Sequence, residues 1–172
     1  MPKTFLLDAS AIIAEPSLDL NAKLITTGKI LSELKSMETK GLALHALMTE
    51  QLEIREPKEE TLKEIEALVS EKGFKTKLSV QDKELLALAL QLSREKADLL
   101  VLTDDFSIQN FLAILKIPFE SVHDKGIEKI MEFSLECIGC GKKYAFSDKL
   151  AGKCLHCGSR VRKKPEFREI TG

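Results

Sequence analysis

The first 136 residues of this 172-residue chain contain no cysteine; all four lie between 137 and 157. That excludes a disulfide framework spread through the chain, and the length suffices for a core that needs none. No apolar run approaches the roughly 18 residues of a membrane helix. Only a short apolar run precedes Asp8, so no secretory leader is expected, and the expected compartment is the cytoplasm, where thiols stay reduced. Low-complexity tracts, sustained heptads and repeats with a period of about 20–50 residues are lacking too, which excludes fibrous and solenoid architectures. Nor is there an overall charge excess: 26 basic residues face 27 acidic ones, for a net charge of −1. The distribution is uneven, however. Residues 133–172 hold nine basic and four acidic residues (+5), so the first 132 carry −6. With 44% hydrophobic and 31% charged residues, this is a globular composition of one or two domains whose parts have different jobs.

Along the chain, apolar runs at 4–7, 23–26, 52–55 and 99–102 read as strands. Between them the 3.6-residue period marks helices through Ile12, through Ile30 and Leu34, through Leu44 and Met48, and through Ile65 and Val69. The last of these opens at Pro57 and ends near Gly73. Ser79 stands three positions before Asp82, a capping-box spacing, and leads into an apolar helix through Leu85–Leu92. A helix through Ile108 and Phe111 follows Thr103-Asp104-Asp105, and residues 118–122 suit an edge strand. Alternating strands and helices predict an α/β layered fold with a mostly parallel sheet. Residues 123–132 read as a linker or closing helix, 133–165 as a separate small domain, and 166–172 as a polar tail.

That topology gives the acids their interest. Asp8 follows the first strand, and Asp104 and Asp105 follow strand 99–102. In a parallel sheet these ends share one edge, where ligands bind. Asp82 begins the helix before that strand, and Glu33 rides on the helix after strand 23–26. Each acid alone also fits as a helix cap or a solvated residue. Together they repel one another unless a cation intervenes, and an oxygen-only cluster suits Mg²⁺ or Mn²⁺ and phosphoryl chemistry. Lys72, Lys75 and Lys77, just before Asp82, would guide a polyanion toward that edge.

Phe5-Leu-Leu-Asp-Ala-Ser10, Ser79-x-x-Asp82-x-x-Leu-Leu-Ala-Leu-Ala89 and Leu102-Thr-Asp-Asp-Phe106 together resemble a PIN-domain nuclease over residues 1–122. The resemblance implies an α/β/α sandwich with a doubly wound parallel sheet that cuts RNA with Mg²⁺ or Mn²⁺. It also implies an acidic quartet formed by Asp8, Glu33, Asp82 and one of Asp104 and Asp105.

Cys137-x-x-Cys140 and Cys154-x-x-Cys157 are separated by 13 residues, and each pair is followed by a glycine, Gly141 or Gly158. Glycine tolerates the positive φ of a tight thiolate turn. Two such pairs complete a closed tetrahedral Cys₄ site, and structural Zn²⁺ is the expected occupant, with a rubredoxin-like iron or redox disulfides as alternatives. His156 is not needed as a ligand, and His45 and His123 carry no assigned role. Around the cysteines stand Lys142, Lys143, Lys149, Lys153, Arg160, Arg162, Lys163 and Lys164, with Tyr144 and Phe146 among them. Cations for phosphates and aromatics for unpaired bases suit single-stranded RNA, although the two rings also suit the ribbon's own small core. A PIN-like part followed by a Cys₄ ribbon, with Thr103-Asp-Asp-Phe-Ser-Ile-Gln-Asn110, resembles the Nob (NIN-one-binding) family of archaeal type. PIN-domain toxins are expected to lack the ribbon. The Nob resemblance implies an endoribonuclease that matures the 3′ end of small-subunit ribosomal RNA on the pre-ribosome.

Overall fold

A computed structural model describes residues 3–14, 22–74, 76–95, 98–146, 150 and 152–170; Lys75 and Lys149 lie outside the described residues. The strands β1 (Thr4–Leu7), β2 (Lys23–Thr26), β3 (Leu52–Ile54), β4 (Leu99–Leu102) and β5 (Phe119–Glu120) form one sheet in the order β3-β2-β1-β4-β5. Every pairing in it is parallel, with Thr4 opposite Leu99 and Leu7 opposite Leu102. All four residues of β1 and of β4 are buried. Such unbroken apolar runs belong at the centre of a sheet covered on both faces. The order steps outward in both directions from the β1/β4 pair, so the crevice at their carboxyl ends is the switch point of the sheet.

Helices α1 (Ala9–Ala14), α2 (Gly28–Glu33), α3 (Met37–Met48), α4 (Glu59–Glu71), α5 (Val80–Arg94) and α6 (Phe106–Leu115) cover it. Thr27, Ser36, Ser79 and Asp105 cap α2, α3, α5 and α6 with side-chain oxygens, each cap contributing roughly 1 kcal/mol. Helix α4 starts at Glu59 with Lys58 as its cap residue, two positions beyond the expected proline. Nine consecutive residues of α5, Glu84–Leu92, are buried. This helix is enclosed on all sides, with α4 and α6 as neighbours. Leu86 and Leu88 of α5 and Phe111 and Leu112 of α6 are fully buried, each such side chain contributing about 1.5–3 kcal/mol.

A second sheet is antiparallel: β6 (Lys129–Cys137) lies between β7 (Lys143–Ala145) and β8 (Val161–Glu169). Here the sequence expectation needs correction. No helix forms over 124–132, and residues 129–132 instead open β6. The period-two pattern Met131, Phe133, Leu135, Cys137 runs straight across the point where composition changes, and composition masked it. Residues 166–169 are not a free tail either. They complete β8, with Glu169 opposite Lys129 and Phe133 opposite Pro165. Because β8 is an edge strand, its proline costs no ladder bond.

Candidate active site and metal centre

Asp8 sits at the switch point because β1 ends there. Its amide donates to the Leu102 carbonyl of β4 (3.1 Å), and its side chain is held from both sides. The Ala9 amide donates to Oδ1 (2.7 Å), and the Thr103 hydroxyl donates to Oδ2 (2.7 Å). Thr103, fully buried, also accepts the Asp105 amide on the same oxygen (3.1 Å). One hydroxyl therefore locks the acid of β1 to the turn that follows β4. Burial pushes the Asp8 carboxyl above its ordinary pKa, the Thr103 and Ala9 bonds oppose this, and the Asp82 and Asp105 carboxylates push it up further. Three acids from three elements thus share one field, and none of them has an ion pair among the described residues.

Asp82 takes its place through the capping box of α5. Its Oδ2 accepts the Ser79 amide (2.7 Å), while its own amide donates to Ser79 Oγ (3.1 Å). Asp105 caps α6 with Oδ1 alone, accepting the Ser107 and Ile108 amides (2.6 and 3.0 Å). Each acid therefore caps a helix with one oxygen and keeps a second without a hydrogen bond among the described residues.

Asp104 is arranged differently. Oδ1 accepts Ser121 Oγ (2.5 Å) and the Val122 and His123 amides (2.7 and 3.1 Å), and Oδ2 meets His123 Nδ1 (2.6 Å). Burial pushes this carboxyl up, but those bonds outweigh it and hold it well below the usual range. Both oxygens are committed to the segment after β5. Sequence reasoning gave His123 no role; it fastens Asp104. Glu33 ends α2 exposed to solvent, with no hydrogen bond or ion pair among the described residues. A second feature was missed as well. Glu84, buried in α5, pairs with Lys29 of α2, and its Oε2 has no hydrogen-bond partner among the described residues. The available signal was a lone acid inside the apolar face of α5.

The cysteines converge. Their four sulfurs lie within 4.8 Å of one another, with Cys137 and Cys157 at 3.5 Å and Cys140 and Cys154 at 3.7 Å. These separations are far beyond a disulfide bond and close to the ~3.8 Å edge of a tetrahedron of sulfurs about 2.3 Å from a central ion. Gly141 and Gly158 adopt φ +71 and +72, the left-handed turn that the spacing called for. The amides of Gly139 and His156 donate to the sulfurs of Cys137 and Cys154 (3.3 and 3.4 Å). The Tyr144 hydroxyl lies 3.1 Å from Cys154 Sγ and helps bring that thiol down to about 5. Donors that stabilise thiolates and crowd them together fit a divalent ion.

The basic residues are less free than their count implies. Lys143 pairs with Glu166 (2.8 Å), and Arg162 and Lys164 both pair with Glu136 (3.3 and 2.8 Å). Lys142 lies 5.9 Å from the centroid of the Tyr144 ring. Lys142, Lys153 and Arg160 have no ion pair among the described residues. Lys163 turns to the α/β domain and donates to the Gly73 carbonyl. Of the lysines before Asp82, Lys72 pairs with Glu132 of β6 (3.0 Å), and Lys77 lies 5.9 Å from the Phe133 centroid. Phe146 packs on Phe133 (centroids 6.4 Å apart) and Gly73. A concavity of about 510 Å³ opens at this seam, lined by Lys72, Glu132, Phe133, Tyr144, Phe146 and Arg168 among others.

A family model described as the PIN domain of ribonuclease matches residues 5–92, a stretch that contains Asp8, Glu33 and Asp82. The chain is similar to endoribonuclease Nob1 of Methanothermobacter thermautotrophicus, with 35% identity over 158 residues covering 92% of this chain and 91% of that protein. It is similar to endoribonuclease Nob1 of Pyrococcus abyssi at 33% over 159 residues, 92% of each chain. Ribonuclease VapC1 of Thermoplasma acidophilum is 29% identical over 165 residues, 96% of this chain and 80% of that protein. A match of that extent runs into the cysteine segment of this chain.

Proposed function

The chain belongs to the PIN-domain ribonuclease family, alongside the archaeal Nob1 endoribonucleases, and on that premise we propose that it is a metal-dependent endoribonuclease that processes the 3′ end of small-subunit ribosomal RNA precursor in the cytoplasm. The observation that supports the reading is that Asp8, at the end of β1, is pushed up by burial and further by the charges of Asp82 and Asp105, with no basic side chain among the described residues paired to any of the three. An oxygen-only, uncompensated donor set fits Mg²⁺ or Mn²⁺. Asp8, Asp82 and Asp105 are the proposed ligands, with Glu33 at the rim and Asp104 in a supporting role. Asp104 is the less suited of the neighbouring pair, since both its oxygens are occupied.

A divalent cation bound there supplies activation of water and neutralisation of charge on the scissile phosphodiester. The chain's own residues set the geometry. Thr103 holds Asp8 in place, and the caps of α5 and α6 each leave one oxygen, of Asp82 and of Asp105, without a hydrogen bond among the described residues. None of these acids acts as a covalent nucleophile. Zn²⁺ in the Cys₄ site is structural, since four thiolates leave no open position. Lys142 and Arg160, which have no ion pair among the described residues, are the proposed cations for phosphate, with Tyr144 beside Lys142. Lys143, Arg162 and Lys164 join them by exchanging carboxylates for phosphates, because exposed ion pairs contribute only about 0–1 kcal/mol each. The pre-ribosomal small subunit is the proposed partner.

The test incubates the protein and Mn²⁺ with three substrates: RNA spanning the small-subunit 3′ end, an unrelated messenger RNA and a DNA flap. Discrete cleavage confined to the first supports the reading. Equal cutting of the messenger RNA favours the broader ribonuclease activity suggested by the VapC1-named relative. Binding without cleavage in Mn²⁺ would make the chain an RNA-binding module and contradict the proposal.

A further inference from the structure

Sequence reasoning placed Lys163 on the RNA surface, but the structure gives its ammonium another partner. Its Nζ donates to the Gly73 carbonyl and lies 3.7 Å from the Phe133 centroid and 5.1 Å from that of Phe146. Gly73 ends α4 in the left-handed conformation (φ +78), and a Cβ there would stand 2.8 Å from the Phe146 ring. The next residue, Phe74, is buried edge-on against Phe111 of α6 (5.1 Å) and against Phe133 (4.8 Å). From Gly73 the chain makes one turn, closed by the Lys77 amide on the Phe74 carbonyl (2.8 Å). It then buries Leu78 and enters the Ser79–Asp82 capping box. The segment that delivers Asp82 is thus pinned at its start by three residues of the second sheet and its β7 end: Lys163, Phe133 and Phe146.

The other acid-bearing helix is tied to the same strand. Asn110 of α6 donates from Nδ2 to the Met131 carbonyl (2.9 Å) and accepts the Met131 amide on Oδ1 (2.6 Å). Strand β6 therefore holds both α6, which carries Asp105 at its cap, and the lead-in to α5, which carries Asp82.

Resting on the assignment of Asp82 as a cation ligand, we propose that Lys163 is a positioning residue: by holding the Gly73 carbonyl from the ribbon side, it fixes the segment that sets Asp82 at the acidic edge. Docking of the ribbon then governs how well the acids are arranged for the cation, and Lys163 is not an RNA contact.

The test uses full-length Lys163→Met, which keeps the stem against the two rings and removes the donor. Lys163→Arg is the conservative rescue, and Lys63→Met on α4 is a control. In metal-free protein, hydrogen exchange at the Ser79 and Asp82 amides should accelerate about fivefold or more in Lys163→Met, while β1 amides stay unchanged. Mn²⁺ affinity by calorimetry should fall by about fivefold or more, the lower end of ordinary site-to-site coupling. Affinity for a short single-stranded RNA without metal should stay within about twofold, and Lys163→Arg should recover much of the Mn²⁺ affinity. Unchanged exchange at Ser79 and Asp82 would overturn the proposal. So would a loss of RNA affinity with a shallower salt dependence and intact Mn²⁺ binding, the signature of a phosphate contact. A parent protein that binds no Mn²⁺ sinks the functional assignment instead, and the exchange measurement still decides what Lys163 does.

Discussion

Thr103 offers the sharpest perturbation of the acidic edge, because one buried hydroxyl serves two of its acids. Thr103→Val keeps the shape and removes the oxygen that donates to Asp8 (2.7 Å) and accepts the Asp105 amide (3.1 Å). A hydrogen bond to a charged group contributes about 1.5–3 kcal/mol, and an orphaned buried N–H costs about 1–3 kcal/mol. Water reaches the half-buried Asp8 carboxylate and recovers part of the first loss. The expected net destabilisation is therefore about 2–4 kcal/mol, well short of the roughly 5–15 kcal/mol of a typical domain, so the variant still folds. Urea unfolding of the metal-free protein should show a lower midpoint with an unchanged slope. Loss of the hydroxyl also removes a bond that holds the Asp8 pKa down, so the acid limb of the cleavage profile should move to higher pH. Thr103→Ser, which keeps the oxygen, should restore both. A valine variant within about 0.5 kcal/mol of the parent, with the same pH profile, would refute the bridging role.

Other expectations follow from the same geometry. Asp8 titrates higher folded than unfolded, so its ionisation opposes folding once the pH rises above its ordinary value of 3.8. Metal-free Asp8→Asn should accordingly melt higher than the parent at pH 7, with the difference vanishing near pH 4; a lower melting temperature at pH 7 would contradict the crowding of Asp8. Asp105→Asn should weaken Mn²⁺ binding more than Asp104→Asn, whereas Asp104→Asn should loosen residues 121–123 in hydrogen exchange; the reverse order of Mn²⁺ affinities would exchange their roles. Gly73→Ala meets both a left-handed backbone and the Phe146 ring, so a loss of about 2–4 kcal/mol is expected, and unfolding within about 0.5 kcal/mol of the parent would disprove the close approach. Chelation of the Cys₄ ion should melt the two Cys-x-x-Cys-Gly turns and β7 by circular dichroism and weaken RNA binding; intact binding would remove the ribbon from substrate contact.

The legible part of this chain is where one residue's neighbours in sequence decide its environment. The buried runs of β1 and β4, the Ser79–Asp82 box and the two Cys-x-x-Cys-Gly turns are local patterns, and the structure keeps them. Asp8 at the end of β1 followed from parallel topology alone. What escaped was decided across the fold. Asp104 and Asp105 are adjacent and chemically identical in sequence; Ser121–His123 after β5 take both oxygens of Asp104, while Asp105 caps α6 with one. The extent of β6 and β8 was lost because charge and Pro165 signal a linker and a tail, while the pairing that makes them strands spans up to 40 residues, from Lys129 to Glu169. Lys163 read as one more exposed cation because nothing near it in sequence names Gly73 as its partner.

The central claim is that Asp8 holds a catalytic cation at the β1/β4 switch point. Its most direct test is paired calorimetry and cleavage with Mn²⁺ for the parent and Asp8→Asn, using RNA that spans the small-subunit 3′ end. The parent should bind Mn²⁺ and cut, and Asp8→Asn, although folded and no less stable without metal, should lose both by about 100-fold or more. Cleavage by Asp8→Asn at the parent rate, with equal Mn²⁺ affinity, would contradict it.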